Sequence, residues 1–310
     1  MTSRLGAIDI GTNSVRLLVA DVDGAGEAAS LDPLDRRMHI TRLGQGVDET
    51  RRLNPEAISR TLDVLREYRS ALDELDVEGA RATATSAARD ATNRDDFFGP
   101  AADVLHFEPE LIPGEEEARL SFLGATAGIH EPAPYLTVDI GGGSTEFVVG
   151  THEPEGLISV DTGSVRITEQ YLRCDPPAPE ELSEAVSVVR THLADVEREV
   201  PAVREAATLI GLAGTVTTVA AVELGLAEYD RTKIHHYRLT RSDAEDVFRT
   251  LATEPYDQRR HNPGLDPGRV DVIVGGTLIL VTTMRTFEFN EMLVSEADIL
   301  DGLVRSLSAR

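Results

Sequence analysis

The segment Asp139-Ile-Gly-Gly-Gly-Ser-Thr-Glu146 gathers the groups that a phosphate and a hard cation both need. Gly141, Gly142 and Gly143 let the backbone approach a ligand without Cβ obstruction, and successive N–H groups in such a turn form an anion-binding concavity. Ser144 and Thr145 add hydroxyl donors. Asp139, at the end of an apolar run, supplies the kind of oxygen that Mg²⁺ accepts beside waters and substrate phosphates, and Glu146 is a second candidate, directly or through water. The bland alternative is a glycine-rich hairpin that only turns the chain. An earlier segment, Asp9-Ile-Gly-Thr-Asn-Ser14, has fewer glycines but keeps an acid, an amide and a hydroxyl, which brings in Asn13 and Ser14. Arg16 and Arg166 each follow a Ser-Val pair in a glycine-containing stretch, so either could line the same phosphate channel or sit in an ordinary ion pair. Lys233 is the sole lysine, so phosphate binding must fall on arginines and backbone amides.

The elements that carry these residues repeat. Residues 6–20 and 136–150 align at a constant offset of 130, matching Asp9 to Asp139, Gly11 to Gly141 and Ser14 to Ser144. Each reads as a strand, a tight turn opened by an Asp, and a second strand. The offset is too long for a solenoid and suits two similar α/β domains. Between the copies, Ile58, Leu62, Leu65 and Leu72 give residues 54–74 the helical period; Arg81-Ala-Thr-Ala-Thr reads as a strand and residues 86–93 as a helix. Residues 115–128 read as a helix with Glu115, Glu116 and Glu117 in its first turn, where the helix dipole favours acid. The run Pro176-Pro177-Ala178-Pro179 should end a strand region and open a long helix over 180–200. A strand over 206–211, a helix from Gly214, and closing helices over 270–283 and 299–307 complete the reading. Neighbouring His235 and His236, placed on a strand, would face opposite ways and offer no metal site.

Composition narrows the classes. The chain has 310 residues, 54 acidic against 30 basic, a formal charge of −24 and one cysteine, Cys174. Such a chain does not bind a nucleic acid polymer through a general basic surface, and it holds no intrachain disulfide or cysteine-based zinc cluster. The longest apolar stretch, Val272 to Met284, is too short to cross a bilayer, so no membrane association is expected. The start lacks a signal-peptide apolar region, and a cytoplasmic location is expected. An excess of carboxylates spread through the chain suits concentrated salt, where the Debye length falls to about 3 Å at 1 M and an anionic substrate can approach.

The paired loops resemble the phosphate motifs of the actin, sugar kinase and heat-shock ATPase superfamily. Further segments make the sequence similar to the Ppx/GppA family of exopolyphosphatases and guanosine pentaphosphate phosphohydrolases: Ala84-Thr-Ser-Ala-Ala-Arg-Asp-Ala-Thr-Asn93, Pro113-Gly-Glu-Glu-Glu-Ala-Arg-Leu120, Asp161-Thr-Gly-Ser-Val-Arg-Ile-Thr-Glu169, Gly211-Leu-Ala-Gly-Thr-Val-Thr-Thr218 and Arg269-Val-Asp-Val-Ile-Val-Gly-Gly276. The resemblance runs over nearly the whole chain. It implies two actin-like (ribonuclease H-like) α/β domains with mixed sheets flanking a phosphate-binding cleft, the first spanning 1–125 plus a C-terminal helix at about 296–310 and the second 126–295. It also places the catalytic base at Glu117 and a substrate-contacting arginine at Arg89. The implied reaction is Mg²⁺-dependent hydrolysis of a terminal phosphoanhydride of inorganic polyphosphate, or the same hydrolysis on guanosine pentaphosphate. A superfamily kinase and a non-catalytic guanosine polyphosphate sensor are the rivals from other classes. Longer members add a C-terminal helical region, and its absence from this sequence leads one to expect shorter substrates. Members of the family often form homodimers, although nothing in the sequence marks an interface.

Overall fold

The computed structural model describes residues 2–26 and 29–309. Met1 and Arg310, the outer limits of the expected first domain, lie outside the described residues. The chain divides into two compact units, Met1–Gly128 with Asp298–Arg310, and Ile129–Ala297.

The first unit begins with β1 (Thr2–Ile10), β2 (Ser14–Asp23) and β3 (Ser30–Ile40), each antiparallel to the one before. Then come α1 (Val47–Thr50), α2 (Pro55–Glu74), β4 (Gly79–Ala84), α3 (Ser86–Asp90), α4 (Asp95–Leu105), β5 (Glu110–Leu111) and α5 (Gly114–Thr126). The five-stranded sheet runs β3-β2-β1-β4-β5, with β4 and β5 parallel to β1. This is the mixed sheet of an actin-like domain. Asn54 caps α2 by accepting from the Glu56 amide, Pro55 opens it, and Leu62, Leu65 and Leu72 bury its apolar stripe. The second helix-forming stretch is shorter than its sequence suggests. α3 stops at Asp90 because the Asn93 side chain stands in for backbone, accepting from Leu53 N at 2.7 Å and donating to Leu53 O at 3.2 Å.

The last helix of the chain also belongs to this unit. Ile299–Ser308 lies against α5 at a backbone-to-backbone approach that only glycine permits. A Cβ on Gly124 would come 1.9 Å from the Asp298 carbonyl oxygen, and one on Gly302 2.0 Å from that of Leu120.

The second unit repeats the plan. It contains β6 (Tyr135–Ile140), β7 (Thr145–Gly150), β8 (Pro154–Val160), α6 (Ser164–Tyr171), α7 (Pro179–Glu199), a 3-10 turn at Pro201–Arg204, β9 (Thr208–Leu212), α8 (Ala213–Glu223), α9 (Arg231–Ile234), β10 (Arg238–Thr240), α10 (Arg241–Thr253), α11 (Tyr256–Arg259), α12 (Ile273–Thr286) and β11 (Glu291–Val294). Its six-stranded sheet runs β10-β11-β9-β6-β7-β8. β6 and β7 are buried throughout, and Phe147 meets Phe287 edge to face at 6.1 Å. The Ile299–Ser308 helix is α13.

Two local expectations change. The stretch before Pro176 is the helix α6 and not a strand, because the turn before it supplies acceptors for its first amides, as described below. His235 and His236 are not on a strand either: His235 ends α9, His236 turns with φ 65°, and their rings stack at 3.8 Å. Among the described residues no group of three or more His, Cys, Asp or Glu is placed to hold a metal ion, and no helix is long and apolar enough to cross a membrane.

Candidate functional site

The turn between β6 and β7 is built so that its carbonyls face the protein and its amides do not. Gly141 O accepts from Ser164 N at 2.9 Å, and Gly142 O from Val165 N at 2.9 Å and Arg166 N at 3.2 Å. Gly143 O accepts from Arg166 Nε at 2.8 Å. The first turn of α6 thereby consumes all three glycine carbonyls, and Gly163 makes the approach feasible, since a Cβ there would lie 2.4 Å from Gly142 O. Gly141 N closes the turn on Ser144 O at 3.0 Å. The amides of Gly142, Gly143 and Ser144 donate to no acceptor among the described residues, which leaves a row of N–H groups for an anion. Thr145, expected to offer its hydroxyl to phosphate, is fully buried as the first residue of β7 and gives that hydroxyl to Thr162 O at 2.5 Å. Thr145 braces the loop from within. Arg166 does the same from the other side, buried with its guanidinium on Gly143.

Asp139 and Glu146 are cross-strand partners in the β6–β7 register. Directly opposed residues share a face with Cβ atoms about 4.5–5.5 Å apart, so the hairpin stacks two carboxylates side by side. Asp139 is 7% exposed and Glu146 1%. Glu146 Oε1 accepts from Ser159 Oγ at 2.7 Å, and Ser159 is its register partner on β8. Two like charges buried together are unfavourable unless a cation joins them. Two carboxylates supply the hard oxygen donors that suit Mg²⁺.

The first hairpin has the same turn and a different pair. Gly11 N closes on Ser14 O at 3.0 Å, as in the second. Thr12 O accepts from Gly44 N at 2.8 Å, and Asn13 O from Thr41 N at 3.1 Å and Arg42 N at 2.9 Å, again turning the carbonyls inward. The Asn13 Nδ2 is buried without a hydrogen-bond partner. Arg42, which sequence reasoning passed over, holds φ 54°, a left-handed conformation rare for a side chain of its size. Of the two readings of Arg16, a channel contact or an ion pair, the structure shows the ion pair. Arg16 is the register partner of Asp9, donating from Nε at 3.1 Å and Nη2 at 2.7 Å to Asp9 Oδ2, while Nη1 pairs with Asp298 Oδ2. Asp9 is 4% exposed, and burial pushes its carboxyl above the ordinary aspartate range against the pull of Arg16.

Glu117 and Arg89 meet. Arg89 Nη1 donates to Glu117 Oε2 at 2.8 Å and to Ile112 O at 3.0 Å, so α3 and the strand before α5 together fix the Glu117 carboxylate. Its neighbour Glu116 is held elsewhere, by Arg119 at 2.9 Å, which separates the roles of adjacent acids on one helical turn. Ser159 and Asp298 were not found from sequence; only the strand register and the chain's return to the first unit reveal them.

The sequence profile of the Ppx/GppA phosphatase family matches residues 18–310. The chain belongs to the Ppx/GppA family. It is 44% identical to Exopolyphosphatase 2 of Mycobacterium tuberculosis, across 99% of both chains. It is 28% identical to a guanosine-5'-triphosphate,3'-diphosphate pyrophosphatase of Aeromonas hydrophila, across 97% of this chain and 58% of that protein. A crystal structure of an exopolyphosphatase-like protein superposes with a TM-score of 0.94 at 38% identity, covering 99% of this chain and 98% of the other. The hairpins at Asp9 and Asp139 are the matching strand–turn–strand segments of the two units of this fold.

Proposed function

We propose that this protein is a Mg²⁺-dependent exopolyphosphatase, releasing orthophosphate from the end of inorganic polyphosphate. The observation that carries the reading is the second hairpin, where a row of unused amides adjoins two opposed, buried carboxylates. The likeness to a full-length relative named Exopolyphosphatase 2 supports the choice of substrate. In this reading Asp139 and Glu146 hold Mg²⁺, which when bound neutralises charge on the phosphate oxygens. The amides of Gly142, Gly143 and Ser144 are donors for a phosphate in the second unit, and Asn13 Nδ2 and the Ser14 side of the first loop are phosphate donors of the first. Glu117, oriented by Arg89, takes the proton from a water whose oxygen forms the new bond to the terminal phosphorus as the bridging P–O bond breaks. The shortened chain leaves with the bridging oxygen.

The experiment is orthophosphate release in molar KCl with Mg²⁺ from long and short polyphosphate, guanosine pentaphosphate and ATP, with Glu117→Gln as the control. The expected result is release from polyphosphate that falls by roughly 10²-fold or more in Glu117→Gln. Release confined to guanosine pentaphosphate transfers the assignment to the activity named for the Aeromonas relative. The molar KCl follows from the charge of −24, which should make both stability and encounter with an anion improve with salt.

A further inference from the structure

The first phosphate loop is fastened to the chain's last helix through one arginine. Asp298 is the N-cap of α13: its Oδ1 accepts from Leu300 N at 3.0 Å, and its own amide donates to Asp301 Oδ2 at 3.0 Å. Its other oxygen pairs with Arg16 Nη1. Arg36 stands behind the pair, with Nη2 2.5 Å from Asp301 Oδ2 and Nη1 3.7 Å from Asp298 Oδ1. A guanidinium edge free to align would grip both oxygens of a carboxylate. Here Nε and Nη2 both fall on Asp9 Oδ2, and Asp9 Oδ1 is buried with no hydrogen-bond partner.

We propose that Asp298 is a positioning residue for the reaction: by holding Arg16 Nη1, it keeps the guanidinium on one oxygen of Asp9 and presents the other to a donor on the bound ligand. The ligand class is a hydrated Mg²⁺–polyphosphate complex, whose metal-bound waters are such donors; this rests on the function proposed above. Losing the Asp298 charge frees Arg16 to close on both Asp9 oxygens, which withdraws Oδ1.

Asp298→Asn tests this, because asparagine caps a helix as well as aspartate and keeps the bond to Leu300 N. Arg305→Met is the control: Arg305 anchors α13 through Ala29 O, seven residues along the helix from Asp298. The probe is Mg²⁺ with tripolyphosphate, with affinity read by calorimetry and kcat and KM by phosphate release. Asp298→Asn should weaken binding about tenfold, as should Arg16→Met, and the double variant should be no worse than Arg16→Met alone. Arg305→Met should bind normally once folded. Normal affinity in Asp298→Asn, or losses that add in the double variant, overturns the positioning role. A parent that binds tripolyphosphate without releasing phosphate defeats the exopolyphosphatase reading and leaves the affinities to judge Asp298; a parent that does neither defeats both.

Discussion

The two hairpins share a turn but differ in the residue that faces the aspartate across the ladder. At the offset that aligns them, Arg16 corresponds to Glu146, and each lies directly across the ladder from its hairpin's aspartate. The first copy therefore sets a cation opposite its aspartate, and the second sets a carboxylate there. An acid–guanidinium pair is an attraction; an acid–acid pair in the same register is a repulsion that a bound cation would relieve. The duplication thus sets the two loops apart by charge, and it is on this difference that the proposed Mg²⁺ site at Asp139 and Glu146 rests. The surroundings agree. Around Asp9 the protein adds Asp298, Arg36 and Asp301, a set of alternating charges, whereas Glu146 accepts from the neutral hydroxyl of Ser159.

The largest effect should come from erasing the acid–acid pair. Asp139→Asn, or Glu146→Gln, should lower phosphate release by roughly 10²-fold or more and raise the Mg²⁺ concentration needed for half-activity. A metal titration superimposable on that of the parent would place the ion elsewhere and remove the contrast between the hairpins. The reciprocal change in the first hairpin should act on stability. Arg16→Met leaves Asp9 buried without its partner, which costs about 3–5 kcal/mol. Chemical denaturation reads that cost, and a loss below about 1 kcal/mol would mean the first pair is as dispensable as an exposed one.

How much of this was legible beforehand depends on sequence distance. Both hairpins were, because strand, glycine turn and strand lie within a few residues and recur with Asp, Gly and Ser in step. The Ser-Val-Arg pattern leaves Arg16 open between a substrate contact and an ion pair, and the hairpin register, which sets it opposite Asp9, decides for the pair. Glu117 and Arg89 came from the family likeness, and the ion pair between them needed the fold, since the two residues are 28 apart in sequence. Asp298 lies 282 residues from Arg16, and no local pattern reports such a partner. α6 was misjudged for a related reason: its start is set by the carbonyls of Gly141 and Gly142, acceptors supplied from another part of the chain.

A smaller effect sharpens the comparison from the other side. Glu146→Gln keeps an oxygen for Ser159 Oγ but removes one of two opposed charges, so in buffer with EDTA it should gain up to about 1 kcal/mol of stability while losing activity. Thermal melting with and without Mg²⁺ checks this. The parent should recover the difference when the ion is added, and a variant less stable than the parent in EDTA would show that the pair is not strained.

The smallest effect concerns Asp9 and pH. Burial raises its carboxyl above the ordinary value of 3.8, and Arg16 opposes but does not cancel that shift. For an acid whose native value is raised, the unfolded chain ionises first as pH increases, so the native state binds the extra proton and stability falls through that window. Below the ordinary value the parent and Asp9→Asn should therefore be about equally stable. From there upward the asparagine variant should draw ahead, and the gap should stop growing once the native carboxyl has itself ionised. Denaturant midpoints measured from acid to neutral pH decide it. If Asp9→Asn falls behind at neutral pH, Arg16 more than compensates for burial, and the first hairpin is held together by its charges; if it draws ahead, the aspartate is kept at a cost to stability, as expected of a residue retained for what it offers a ligand.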